Sequence, residues 1–204
     1  MGFFTISLIS GYSLIVLMNI IFNFSWLTLL NIFLCVVIIM LPAAVFLFVG
    51  RVLPKKWFDS KRLLFRVNKF QAWFCKFVRV KDWKDKIPVG GHVAGFRMNK
   101  LANPKDLDLT FLNRYIYESC FAEWLHTTCA VWGLLALIPI YFINASWVLP
   151  IALPIAVVFA YQNMVSTIIQ WFVRPRIVKL RDGLIKRNKL SQNTEEKEEI
   201  KEEK

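Results

Sequence analysis

The chain has 204 residues, of which 56% are hydrophobic, with a mean hydropathy of +0.47 and a net charge of +12. A soluble domain holds about 45–50% apolar residues. Here the excess is gathered into blocks near the ~20 residues that cross a bilayer. Composition therefore excludes a soluble enzyme and leaves one small all-α integral membrane bundle over residues 1–194, followed by an acidic tail over 195–204 with six Glu against three Lys.

In chain order, apolar segments over 5–24, 26–50, 120–143 and 147–172 are each long enough to span. The first lacks a basic n-region and an Ala-x-Ala site, so it reads as a retained anchor and not a signal peptide. The links at Asn23-Phe24-Ser25 and Asn144-Ala145-Ser146 are short enough to force antiparallel hairpins. No Lys or Arg precedes Arg51, and none lies between Arg114 and Arg174. By the positive-inside rule the loop over 51–118 and both termini are cytoplasmic, in a multi-pass protein of the cell membrane. Pro42, Pro139, Pro150 and Pro154 fall in or beside the spans as candidate kinks. The partners expected are membrane lipids, with no nucleic acid.

The loop opens on an amphipathic stretch from Ser60. Leu63, Val67, Phe70, Phe74 and Phe77 recur at helical spacing, and Arg62, Arg66, Lys69, Lys76 and Arg79 fill much of the remaining surface. Such a helix can lie in the headgroup plane and attract anionic lipid or a phosphorylated donor, or pack on the bundle as a basic surface helix. "KDWKDKIPVGGHVAGF" follows as a turn-rich loop carrying His92. Asp106 or Asp108 then starts a helix leading towards Glu118.

The candidate site is "ESCFAEWLH", Glu118 to His126. At about 100° per residue, with Glu118 at zero, His126 falls near 80°, Glu123 near 140° and Trp124 near 240°. The histidine thus lies between two carboxylates, with an aromatic back. Ionisable groups beside a span are expensive unless they face a cavity or a partner. Three readings stay open: His126 as a general base oriented by Glu123, a metal site that His92 would complete, and polar residues at a membrane boundary. The single Glu-x-x-His copy falls short of the repeated motif of di-metal bundles, and no metal is assigned. The cysteines, Cys35, Cys75, Cys120 and Cys129, have no metal spacing and read as small apolar packers. Arg174 and Arg176 bracket Pro175 where the last span ends. Two guanidiniums there suit either topology or a phosphate clamp. The chain has no GxSxG, no Gly-rich nucleotide loop and no HxxxxD.

Taken in order, "VKDWKDKIP" (Val80 to Pro88), Gly91-His92, the set Glu118, Ala122, Glu123 and His126, and Arg174-Pro175-Arg176 resemble the glycosyl-4,4'-diaponeurosporenoate acyltransferase family. Its members are small bacterial membrane proteins of staphyloxanthin-type carotenoid synthesis. The resemblance runs from about Leu53 to Asn188. It implies an O-acyltransferase that moves a fatty acyl group from a thioester, acyl-CoA or acyl carrier protein, to a sugar hydroxyl of a lipid-linked glycoside, with no cofactor. On that reading His126, Glu123, Glu118 and His92 are catalytic, and Trp83, Lys84, Lys86, Arg174 and Arg176 bind substrate. Two departures stand out: the span over 5–24, and Val173 where a polar Asn often precedes Arg-Pro-Arg. The competing classes are a non-catalytic lipid-binding or assembly subunit of a glycolipid pathway and a small lipid transporter using Glu118, Glu123 and His126 as a proton relay.

Overall fold

A computed structural model describes residues 26–84, 92–93, 96–97 and 108–202. The expected span over 5–24 lies outside the described residues. Among the described residues three helical stretches are long and apolar enough to cross a membrane, Leu27–Val52, Leu109–Ile143 and Val148–Leu190. They cover the other three expected spans except for Trp26 and Trp147, the first residues of two of them. Large apolar side chains such as Leu41, Phe48, Phe142 and Tyr161 stand exposed along them, as lipid-facing surface does and water-facing surface rarely does.

Helix α1, Trp26–Val52, has Arg51 in its last turn and Pro42 inside it. Proline has no N–H, so the carbonyl four residues earlier loses its helical donor. Here that carbonyl belongs to Ile38, and the Trp132 indole Nε1 donates to it at 3.2 Å from a neighbouring helix. Trp132→Phe is expected to cost about 1 kcal/mol of stability. In a Pro42→Ala background the same change should cost much less, because the alanine N–H restores the missing donor. Denaturant titration of the four proteins in detergent measures the cycle, and equal costs in both backgrounds would detach Trp132 from the proline. Near its end α1 closes on the next long helix at Gly50, where an added Cβ would meet Trp124 Cζ3 at 2.5 Å and Phe121 Cε2 at 2.7 Å.

The amphipathic stretch is helical only from Lys69. Helix α2, Lys69–Phe77, starts on a capping box: Asn68 Oδ1 accepts from Gln71 N–H at 2.7 Å and Gln71 Oε1 from Asn68 N–H at 2.9 Å. The box stops the helix from extending back, and Ser60 to Arg66 runs in turns instead. Those turns bury Phe65 under the bundle beside Phe58, which ends the 3₁₀ turn Lys55–Trp57 and packs edge-on against Tyr117, Phe121 and Trp124. A short helix α3, Val80–Trp83, follows Arg79, which takes a left-handed φ of 51°. Strands β1, His92–Val93, and β2, Phe96–Arg97, form a two-residue antiparallel ladder pairing His92 with Arg97.

Helix α4, Leu109–Leu135, is capped by Asp108, whose carboxylate accepts from Phe111 N–H. It carries the third span without a break from the loop. Helix α5, Leu137–Ile143, a 3₁₀ turn over Ala145–Trp147 and a π-helical segment over Val148–Ala152 form the proline-rich tip. Helix α6, Leu153–Glu202, then runs 50 residues through Pro175 and into the acidic tail. Among the described residues, helices α4 and α6 make the most extensive contact. One apolar cluster around Cys35, Ile39, Ala136, Ile140 and Phe159 joins α1, α4, α5 and α6 within the spans. A second, around Leu112, Tyr115, Phe121 and Ile177, lies at the loop end.

A polar seam between two apolar helices

The two long helices meet along a row of polar side chains. On α6, Asn163, Thr167, Gln170 and Arg174 recur at intervals of four, three and four, which puts them on one stripe. On α4, Ser119, Glu123 and His126 do the same. The helices run antiparallel, so the stripes zip together. Ser119 Oγ donates to Gln170 Oε1 at 2.8 Å, and Thr127 lies 3.4 Å from Thr167, oxygen to oxygen. In an apolar surround every such group needs a partner, and each stripe supplies the other's.

Glu123 is 5% exposed and Arg174 2%. They form an ion pair through Oε2 and Nη1, and the Trp171 indole donates to the other carboxylate oxygen at 2.5 Å. Arg174 Nη1 also points at Cys120 Sγ, 3.9 Å away, while Nη2 has no hydrogen-bond acceptor among the described residues. Glu118 is held by Arg51 through two parallel hydrogen bonds of 3.0 and 3.2 Å. That guanidinium also lies 4.0 Å over the Phe121 ring. The fork ties the end of α1 to α4.

His126 therefore differs from its expected setting. The helical projection put Glu123 beside it, but Glu123 turns to Arg174, since a carboxylate in a low-dielectric interior gains more from a guanidinium than from an imidazole. His126 Nδ1 instead lies 2.9 Å from Asn163 Oδ1. The orientation of that amide is fixed, because Asn163 Nδ2 donates to the Phe159 carbonyl at 2.8 Å. Oδ1 can only accept, so His126 carries a proton on Nδ1, and in the neutral ring the lone pair is on Nε2. Nε2 has no hydrogen-bond partner among the described residues, and His126 is only half-buried. When the ring is neutral, the arrangement holds the imidazole in one tautomer with its basic nitrogen unengaged.

Of the other expected site residues, those that are described are dispersed. Arg176 does not join Arg174: it is exposed, with its guanidinium 3.9 Å over the Phe172 ring. Trp83 donates its indole N–H to the Val78 carbonyl at 2.7 Å and packs near Val80 and Ile168. Lys84 follows α3 directly. His92 sits on β1, but its side chain is outside the described residues, as is the whole of Lys86. Among the described residues, no three of His, Cys, Asp and Glu are grouped to hold a metal. All four cysteines are free and buried.

Sequence reasoning missed Asn163, Thr167, Gln170, Trp171 and Arg51. The first three had a usable signal, a polar stripe at heptad spacing inside an apolar span. Arg51 and Trp171 had none, since each acts through a helix distant in sequence.

No curated protein and no solved structure matches the chain. The family model described as glycosyl-4,4'-diaponeurosporenoate acyltransferase matches residues 54–183, which takes in both stripes of the seam and leaves out all of α1, Arg51 included. More than half of the chain is matched, and it belongs to the glycosyl-4,4'-diaponeurosporenoate acyltransferase family.

Proposed function

We propose that this acyltransferase moves a fatty acyl group from a thioester to a sugar hydroxyl of a carotenoid glycoside, with His126 as general base. The observation that carries this is the single tautomer imposed on His126 by Asn163 and Phe159. Nε2 takes the hydroxyl proton as the sugar oxygen attacks the thioester carbonyl. The C–O bond forms, the C–S bond of the tetrahedral adduct breaks, and the departing thiolate takes the proton back from Nε2. The acyl group ends as an ester, and the thiol leaves as coenzyme A or carrier protein.

Glu123 and Arg174 hold α4 and α6 in the register that brings His126 to Asn163. Glu118 does the same for α1 through Arg51. Arg176, Lys84 and Lys86 supply positive charge for the donor's phosphates, Trp83 offers its ring face, and His92 sits with the acceptor. The chain crosses the cell membrane four times, counting residues 5–24. The loop and both termini are cytoplasmic, where the thioester donors are, and α2 lies along that surface. The one-sided distribution of Lys and Arg about the apolar blocks supports this orientation.

Purified protein in liposomes, given a fatty acyl thioester and a carotenoid glucoside, is expected to raise the acceptor's mass by one acyl chain. No mass gain with any chain length, in membranes where the protein is folded, would leave the lipid-binding subunit as the better reading.

A further inference from the structure

Helix α2 is docked on α6 by one side. Cys75 is buried there with its thiol 3.8 Å from the Ile168 carbonyl, and Phe74, Val78, Trp171 and Phe172 close around it. At about 100° per residue, Phe70, Trp73 and Phe77 fall within about 60° of one another on the opposite side. They are 64%, 55% and 69% exposed. Their rings pack on one another, with Phe70 and Trp73 5.8 Å apart and Trp73 and Phe77 stacked at 5.4 Å and 15°. Lys69 and Lys76 share the flank next to this face, about 90° round the helix.

The preceding turns add Lys61, Arg62 and Arg66, and no acidic residue occurs from Lys61 to Arg79. Arg79 is paired with Asp82 at 2.7 Å. The other five cations have no ion-pair partner among the described residues. The level of the helix is also fixed. Its contacts on α6, Ile168 to Phe172, lie within the apolar stretch, just before Arg174. An aromatic face at that depth meets the boundary between acyl chains and headgroups, and cations at right angles to it meet the headgroups.

From this geometry we infer that α2 and the turn before it form a binding site for anionic lipid, with Phe70, Trp73 and Phe77 among the acyl chains and Lys69, Lys76, Arg62 and Arg66 on the phosphates. The inference rests on the reading that α2 lies along the membrane surface, and it adds the chemistry of the lipid.

Full-length protein in nanodiscs of phosphatidylcholine, with and without phosphatidylglycerol, tests it. The native cysteines are all buried, so a spin label goes selectively to Trp73→Cys or Lys76→Cys. Oxygen is expected to reach the label at 73 more often than a water-soluble nickel chelate does, and the reverse is expected at 76. Fluorescent phosphatidylglycerol is expected to bind about fivefold more weakly for each of Lys69→Gln and Lys76→Gln, by the free energy a cation near an anionic surface contributes. Phosphatidylcholine binding should not change. Equal loss for both lipids overturns the anionic preference. A label at 73 open to the chelate, with inorganic phosphate displacing phosphatidylglycerol, would assign the cations to a soluble phosphorylated ligand and also overturns it. In right-side-out vesicles prepared from cells making the protein, failure of the chelate to reach position 76 from outside tests the cytoplasmic orientation separately.

Discussion

His126→Ala, compared at equal membrane abundance, is expected to lower acyl transfer by about 10²–10⁴-fold, the usual contribution of a positioned general base. The Asn163 variants test the mechanism more sharply than the histidine itself. Asn163→Leu removes the acceptor that holds the proton on Nδ1, so the ring is free to place it on Nε2 and lose its base. Its loss should fall at the low end of the same range, in kcat and not in KM. Asn163→Asp keeps an acceptor at the same place and should retain most of the activity. The readout that a packing defect would not move is the ¹⁵N spectrum of the His126 ring. Wild type and Asn163→Asp should show the proton on Nδ1, and Asn163→Leu a mixture. A wild-type ring protonated on Nε2 would remove His126 from the base role however inactive the alanine variant proved.

The sequence made the membrane bundle visible because its strongest signals are local. Apolar runs of span length, short polar links and a one-sided distribution of Lys and Arg all act within a single segment. The structure places long helices where the second, third and fourth runs predict them. Helix starts were legible to nearly the same extent: of the two expected starts, Asp106 and Asp108, it is Asp108 that caps α4. The start of α2 was not, because the run of alternating apolar and basic residues from Ser60 continues through the Asn68–Gln71 box without interruption. Only the burial of Phe65 shows that the first part serves another contact.

The site was legible as a stripe and illegible as a set of pairs. Projecting one helix shows that Glu118, Glu123 and His126 face the same way, but not what stands opposite. Each of the three found its partner on another helix, Arg51 on α1 for Glu118 and Arg174 and Asn163 on α6 for the others. In a medium that cannot solvate charge, the choice between possible partners is dominated by opposite full charges. Projection along one helix therefore overstates contact among its own polar residues, and a matching stripe on a second span is the better predictor.

The buried pair yields the second large effect. Arg174→Met leaves the Glu123 carboxylate inside the bundle with only the Trp171 indole to stabilise it. Breaking one side of such a pair costs about 3–5 kcal/mol, because an uncompensated charge remains. Glu123→Leu strands the guanidinium in the same way, with the Cys120 sulfur a weak acceptor. Replacing both by apolar residues of similar shape removes the stranded charge, and stability should return to within about 1–2 kcal/mol of wild type. Unfolding in SDS–detergent mixtures measures the cycle, and simple additivity of the two losses would mean that the pair is not coupled. Activity of the double variant then separates two roles that the single variants confound. If Glu123 serves only to hold α4 against α6, restoring the fold restores acyl transfer, because His126 lies one turn from Glu123 and Asn163 about three turns from Arg174 along the same seam. If Glu123 takes part in the reaction or Arg174 in donor binding, the double variant folds and stays inactive.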